Sequence, residues 1–140
     1  MTDQSYELMQ AMLNAAKADI AVTALVPAAS IYADDAPPDA TPPYIVFGDS
    51  DARRADVTCL ASQGIFVTVH VWSWGALEAS GTVQARKISA ALSSALHDAA
   101  LVLDGGRLIT VEHRRTRVFK DADGVKNHGV IEFWASVEAA

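Results

Sequence analysis

Only one cysteine, Cys59, occurs in the 140 residues. That excludes an intramolecular disulfide and points to a reducing compartment. Long apolar runs are also missing. None approaches the roughly 18–20 residues of a spanning helix, so no membrane partner is expected. The mean hydropathy of +0.16 is carried largely by alanine. The opening MTDQSYELMQ is polar and acidic, unlike a signal peptide. There is no GxGxxG and no Walker-type sequence. His70, His97, His113 and His128 lack HxH or HxxxH spacing, and Cys59 has no CxxC partner, so no metal or cofactor is expected. Basic charge is scarce, with 11 Lys and Arg against 17 Asp and Glu, a net charge of −6. Such a chain has no global electrostatic reason to bind nucleic acid from outside.

What is present fits one domain, residues 1–140. Half of the chain (51%) is apolar and 20% is charged, a globular balance. Residues 3–17 read as an amphipathic helix. Tyr6, Met9, Leu13 and Ala16 form its stripe, Leu8 and Met12 widen it, and Asp3 or Ser5 serves as N-cap. Asp19 to Val26 adds helical turns, ended by Pro27. Residues 34–43 hold four prolines and read as an extended loop, with Ile31-Tyr32 before it as a short edge strand.

Tyr44–Gly48 has strand character. Asp49 to Ser62 carries mixed charge and no steady period, so a long exposed loop or mobile hairpin tip is expected there. Gln63–Trp74 alternates Ile65, Val67, Val69 and Val71 with Phe66, Thr68, His70 and Trp72, which predicts a central strand. A second helix is predicted over 78–97, with Ala85, Ile88, Ala91, Leu92, Ala95 and Leu96 inward. Strands over 107–119 and 128–138 follow, joined by a turn at Asp121-Ala122-Asp123-Gly124. The expected architecture is α+β, an antiparallel or mixed sheet of about four to five strands with two main helices packed on one face.

Catalytic constellations are weak. Mid-strand His70 reads as a hydrogen-bonded sheet residue, and His97 as a partner of a helix C-terminus. Ser94, His97 and Asp98 crowd one helix end without the spatial arrangement of a triad. Asp121-x-Asp123-Gly124 begins like a calcium loop, but the remaining ligand positions fail. Arg114, Arg115 and Arg117 form the sharpest charge run. Strand alternation puts Arg115 and Arg117 on one face and Arg114 on the other. Three readings stay open: a charged edge that discourages pairing, a subunit contact with a carboxylate-rich neighbour, or a nucleic-acid groove. Trp134 lies opposite the Ile131 and Phe133 face among mixed neighbours. Interface and packing readings are both open for it.

A family is nevertheless visible in the order of the pieces. Asp19 to Val26 leads to Ile31-Tyr32, then Pro42-Pro43-Tyr44-Ile45-Val46, then Val69-His70-Val71-Trp72-Ser73. Ala95-Leu96-His97-Asp98, Gly105-Gly106-Arg107-Leu108, Arg117 to Gly124 and His128 to Phe133 complete the series. The chain resembles the small tail-completion and tail terminator proteins of long-tailed phages and gene transfer agents. Residues 74–83 depart from the more charged helix entry of that family.

The resemblance implies a structural virion protein of the tail or neck, assembled in the bacterial cytoplasm, with no catalytic residues. It implies a homo-oligomeric ring, typically of six copies, that caps the tail tube and meets the head-side stopper or connector. DNA would pass through the lumen without specific binding, helped by the negative charge. In that setting Arg53, Arg54 and Asp56 are candidate contacts to an adjacent ring, with Asp49 and Asp51 setting register. Arg114, Arg115, Arg117 and Trp134 are candidate subunit contacts. A head-to-tail stopper, or a small-molecule binding domain, are the competing readings.

Overall fold

A computed structural model describes all residues from Met1 to Ala140. Helix α1, Ser5–Ala18, and the short α2, Ile20–Thr23, precede a three-residue strand β1, Ile31–Ala33. Strands β2, Tyr44–Arg54, and β3, Ser62–Ser73, form a hairpin. Helix α3, Val83–Leu96, leads to the second hairpin, β4, Gly106–Lys120, and β5, Asn127–Ala139. The sheet order is β1-β2-β3-β5-β4, with β1 parallel to β2 and every other pair antiparallel. This is the expected mixed α+β arrangement, with β3 central.

Period-two alternation explains which face is covered. Ile65, Val67, Val69 and Val71 of β3 point the same way as Ile131, Phe133, Ala135 and Val137 of β5, and all eight are buried. On that face sit α1 and α3, which contribute Leu8, Met12, Leu13 and Ala16, and Ala85, Ile88, Leu92 and Leu96. Tyr6 is an exception to the expected stripe. It is 61% exposed, so the buried stripe of α1 is carried by Leu8 and Met9 instead. Gln4 occupies the cap position of α1, while Asp3 accepts the backbone N–H of Ser5 at 2.7 Å and so ties down the same turn. Asp19 caps α2 by accepting from Val22.

Two local readings change. The stretch expected as a long exposed loop or a mobile hairpin tip over 49–62 is a hairpin end whose first arm is strand: after a bulge at Asp49, Ser50–Arg54 pair with Gln63–Val67. Mixed charge hid this, because both faces of the extension lie in solvent and no apolar alternation is required. The residues beyond the pairing are also held locally. Ala55 donates to the Ser62 carbonyl, and Asp56 accepts from the Ser62 backbone. The helix expected from residue 78 is split into a single 3-10 turn, Leu77–Ser80, and α3 proper from Val83. Buried Asn127 fixes that turn, donating to the carbonyls of Ser73 and Ala79.

Candidate assembly interface

The face of the sheet opposite the helices has no layer over it. Its side chains come from Tyr44 and Val46 on β2, Phe66, His70 and Trp72 on β3, His128, Val130, Glu132 and Trp134 on β5, and Arg115, Arg117 and Phe119 on β4. A sheet buried on one side ordinarily turns polar residues outward. Here aromatic rings are grouped instead. Tyr44 meets Tyr32 and Trp74 edge-on, with centroids 6.1 and 5.8 Å away. Trp72 stacks on His128 at 3.8 Å, and Phe119 leans against the same imidazole at 5.1 Å. Burial raises the Tyr44 phenol above its usual range, with the neighbouring Tyr32 adding to the effect.

His70 behaves as the hydrogen-bonded sheet residue expected. Its Nδ1 lies 2.8 Å from Nε2 of His128, a cross-strand neighbour of Trp72 on β5. Sequence reasoning did not bring these two together, since they are far apart along the chain and share no short motif. Burial holds His128 down to about 4, and His70 adds to the depression. The proline loop walls one side of a cleft of about 380 Å³ in front of this group, lined by Pro37, Pro38, Tyr44, Trp72, His70 and His128 among others.

The arginine run sits on β4, the outer strand of the sheet. The expected separation of Arg114 from Arg115 and Arg117 does not hold. A bulge between His113 and Arg115 adds one residue to β4 and turns Arg114 onto the uncovered face. There its guanidinium lies 5.0 Å above the ring of Trp134, with Glu112 at 3.7 Å. Arg115 faces Glu132 at 3.7 Å, and Arg117 covers Phe119 at 5.0 Å. So Arg114, Arg115, Arg117 and Trp134 occupy one surface. Trp134 is half-buried there, its Nε1 close to the backbone of Gly64, where an added Cβ would stand 3.2 Å away.

Arg53, Arg54 and Asp56 lie on the outer part of the first hairpin, with β3 and β5 between β2 and the arginine strand β4. Arg53 grips Asp51 at 2.9 Å and lies 5.9 Å over Phe66. Asp51 is i−2 to Arg53, so alternation puts both on one face, and each stabilises the other's charged form. Arg54 is 3.5 Å from Asp56. These pairs are solvent-exposed and add little to stability, which leaves their charges available to a partner.

The catalytic bait resolves into local structure. His97 Nδ1 accepts the backbone N–H of His113 at 3.0 Å, binding the end of α3 to β4. Asp123 accepts from Val125 and Lys126 as a turn closure, which lowers its own pKa. No group of three or more His, Cys, Asp and Glu side chains has metal-holding geometry.

The chain is thus a helix-backed mixed sheet whose uncovered face carries aromatic rings and arginines. One solved chain, from the virion of a native gene transfer agent particle, superposes with a TM-score of 0.86 at 26% identity, covering 99% of this chain and 100% of that one. The gp17 protein of bacteriophage SPP1 shares the fold at a TM-score of 0.54 and 22% identity, over 96% and 95% of the two chains. In sequence, the tail completion protein gp17 of Bacillus phage SPP1 is 29% identical over 90 residues, which span 64% of this chain and 63% of that protein. The family model for tail completion protein gp17 matches residues 10–138. The chain belongs to that family, and is a structural protein of a phage or gene transfer agent tail.

Proposed function

We propose that this chain is the tail terminator of its particle: copies close into a ring of six that caps the tail tube and joins it to the head-side connector, without catalysing a reaction. The observation that carries this reading is the match, over 99% of this chain and 100% of the other, to a chain of a native gene transfer agent particle. The uncovered sheet supports it, since an aromatic face of this kind gains from burial by a neighbour. The net charge of −6 supports passage of DNA through the ring, because like charge repels the phosphate backbone.

The test is assembly of particles in cells lacking this chain. Heads and tail tubes should both form but fail to join, and supplying the chain should restore joining. Normal joined particles in its absence would overturn the proposal. Antibody against this chain should decorate the tube end of separated tails. Decoration of isolated heads alone would favour the stopper role instead.

A further inference from the structure

Opposite sides of this one sheet carry charge of opposite sign that the subunit itself only partly neutralises. On the β4 edge Arg114, Arg115 and Arg117 are all exposed. Arg117 forms no ion pair, and the first two reach Glu112 and Glu132 only at 3.7 Å. On the other side β1 stops after three residues, where Asp34 adopts a left-handed backbone with φ +64 and the chain turns back in front of the uncovered face, with Asp35 at the rim of the cleft beside Tyr44 and Val46. Asp34, Asp35 and Asp39 follow there, exposed and without a cationic partner.

These two groups stand at the same height. Ala33 pairs with Phe47, Phe47 with Val69, Val69 with Ile131, and Ile131 with Thr116. One row of the sheet therefore runs from the last residue of β1 to the middle of the arginine run. Asp34 and Asp35 come directly after its first member, and Arg115 and Arg117 flank its last. Four strand spacings separate Ala33 from Thr116 along that row, about 19 Å, beyond the screening length of roughly 8–10 Å at moderate salt. No ion pair joins Asp34, Asp35 or Asp39 to the arginine run within the subunit.

We propose that consecutive copies of this chain meet head to tail across these edges, with Arg115 and Arg117 of one copy against Asp35 and Asp39 of the next. This rests on the ring reading above and names the surfaces that close the ring. The two surfaces differ, so the contact is heterologous, the type that generates rings when the rotation closes. Their common row brings the charges level when neighbours are related by rotation about an axis along the strands. Side chains rather than a continuous backbone ladder carry the contact. β4 is interrupted by bulges at Ile109 and Arg114, and Pro37 and Pro38 offer no N–H.

The experiment uses two full-length variants. Arg115→Glu with Arg117→Glu makes both edges acidic, and Asp35→Lys with Asp39→Lys makes both basic. Each alone should raise the dissociation constant for self-association by tenfold or more relative to the parent, measured by sedimentation or native mass spectrometry. Circular dichroism should show both folded like the parent, since all four positions are exposed. An equimolar mixture should recover assembly, because alternating copies then match at every contact. The recovered oligomer should contain the two variants in equal number. If the parent assembles and the two variants assemble as well as it does, or the mixture recovers nothing, the edge contact is wrong while the ring stands. A parent that stays monomeric throughout the accessible concentration range overturns both the contact and the ring.

Discussion

His70 and His128 face each other across 2.8 Å on the uncovered sheet, and the second is sandwiched against Trp72 with ring centres 3.8 Å apart. One proton sits between the two nitrogens. Asp49 lies 3.5 Å from Nε2 of His70, which favours the proton on that nitrogen. Nδ1 of His70 then accepts, and Nε2–H of His128 donates. The assignment follows from the network of partners. Protonating His128 as well would put a second positive charge beside Arg117 and leave it half-desolvated, with only Asp121 to offset it.

A pH dependence follows with a definite sign. The folded His128 titrates near 4 against 6.5 unfolded. Above pH 6.5 neither state binds this proton and the group has no effect. Between pH 6.5 and 4 the unfolded chain takes it up and the fold does not, so stability falls as pH is lowered through that window. The loss is roughly 1–2 kcal/mol once solvent access to the ring is allowed for. His128→Gln should flatten the slope of Tm between pH 6.5 and 4. An unchanged slope would assign the effect to other groups.

Gly129 and Ser89 mark a close approach of α3 to the sheet. A Cβ on Gly129 would stand 2.6 Å from the Ser89 Oγ and 3.2 Å from the Cβ of Val71. That hydroxyl is buried and has no hydrogen-bond partner. Gly129→Ala should therefore cost about 1–3 kcal/mol by overpacking. Ser89→Ala should be neutral or stabilising by up to about 1 kcal/mol, because an unsatisfied group is removed. The double variant should recover part of the loss, leaving the Val71 contact as the residue. Urea denaturation of the four proteins measures the coupling. Strict additivity would mean that Ser89 does not set the helix-to-sheet distance.

Particular elements show how much could be read from the chain. β3 and β5 were legible because their alternation is enforced by a buried face. The outer part of β2 was not, because Ser50–Arg54 have solvent on both sides and nothing in composition distinguishes a solvated strand from a loop. The arginine run was visible, but its geometry was not. One bulge residue reverses every face assignment after it, and bulges leave little trace in residue type. The uncovered aromatic face was only partly legible. Trp134 stood out, whereas the meeting of His70, Trp72, Phe119 and His128 depends on strand order, which period alone does not supply.

The first hairpin carries the remaining prediction. Residues 51–59 are all exposed, and the tip presents Val57, 61% exposed, beside the short Asp56–Ser62 closure. The pairing of Ser50–Arg54 with Gln63–Val67 makes it a stiff projection, which costs less entropy on docking than a free loop would. Its far end lies along the strands rather than at either charged edge. On the proposed ring reading, we predict that it meets the tail tube through Arg53, Arg54 and Val57, with Asp49, Asp51 and Asp56 opposing wrong approaches. Deleting residues 52–58 removes the projection but leaves the core strands paired, so the variant should keep its fold and self-association and lose attachment to tails. Val57→Glu, a milder change at an exposed site, should shift Tm by little and weaken attachment about tenfold in a pull-down against tail tubes. Particles that attach normally with the deletion in place would show that the hairpin is an idle tip and that another end of the sheet meets the tube.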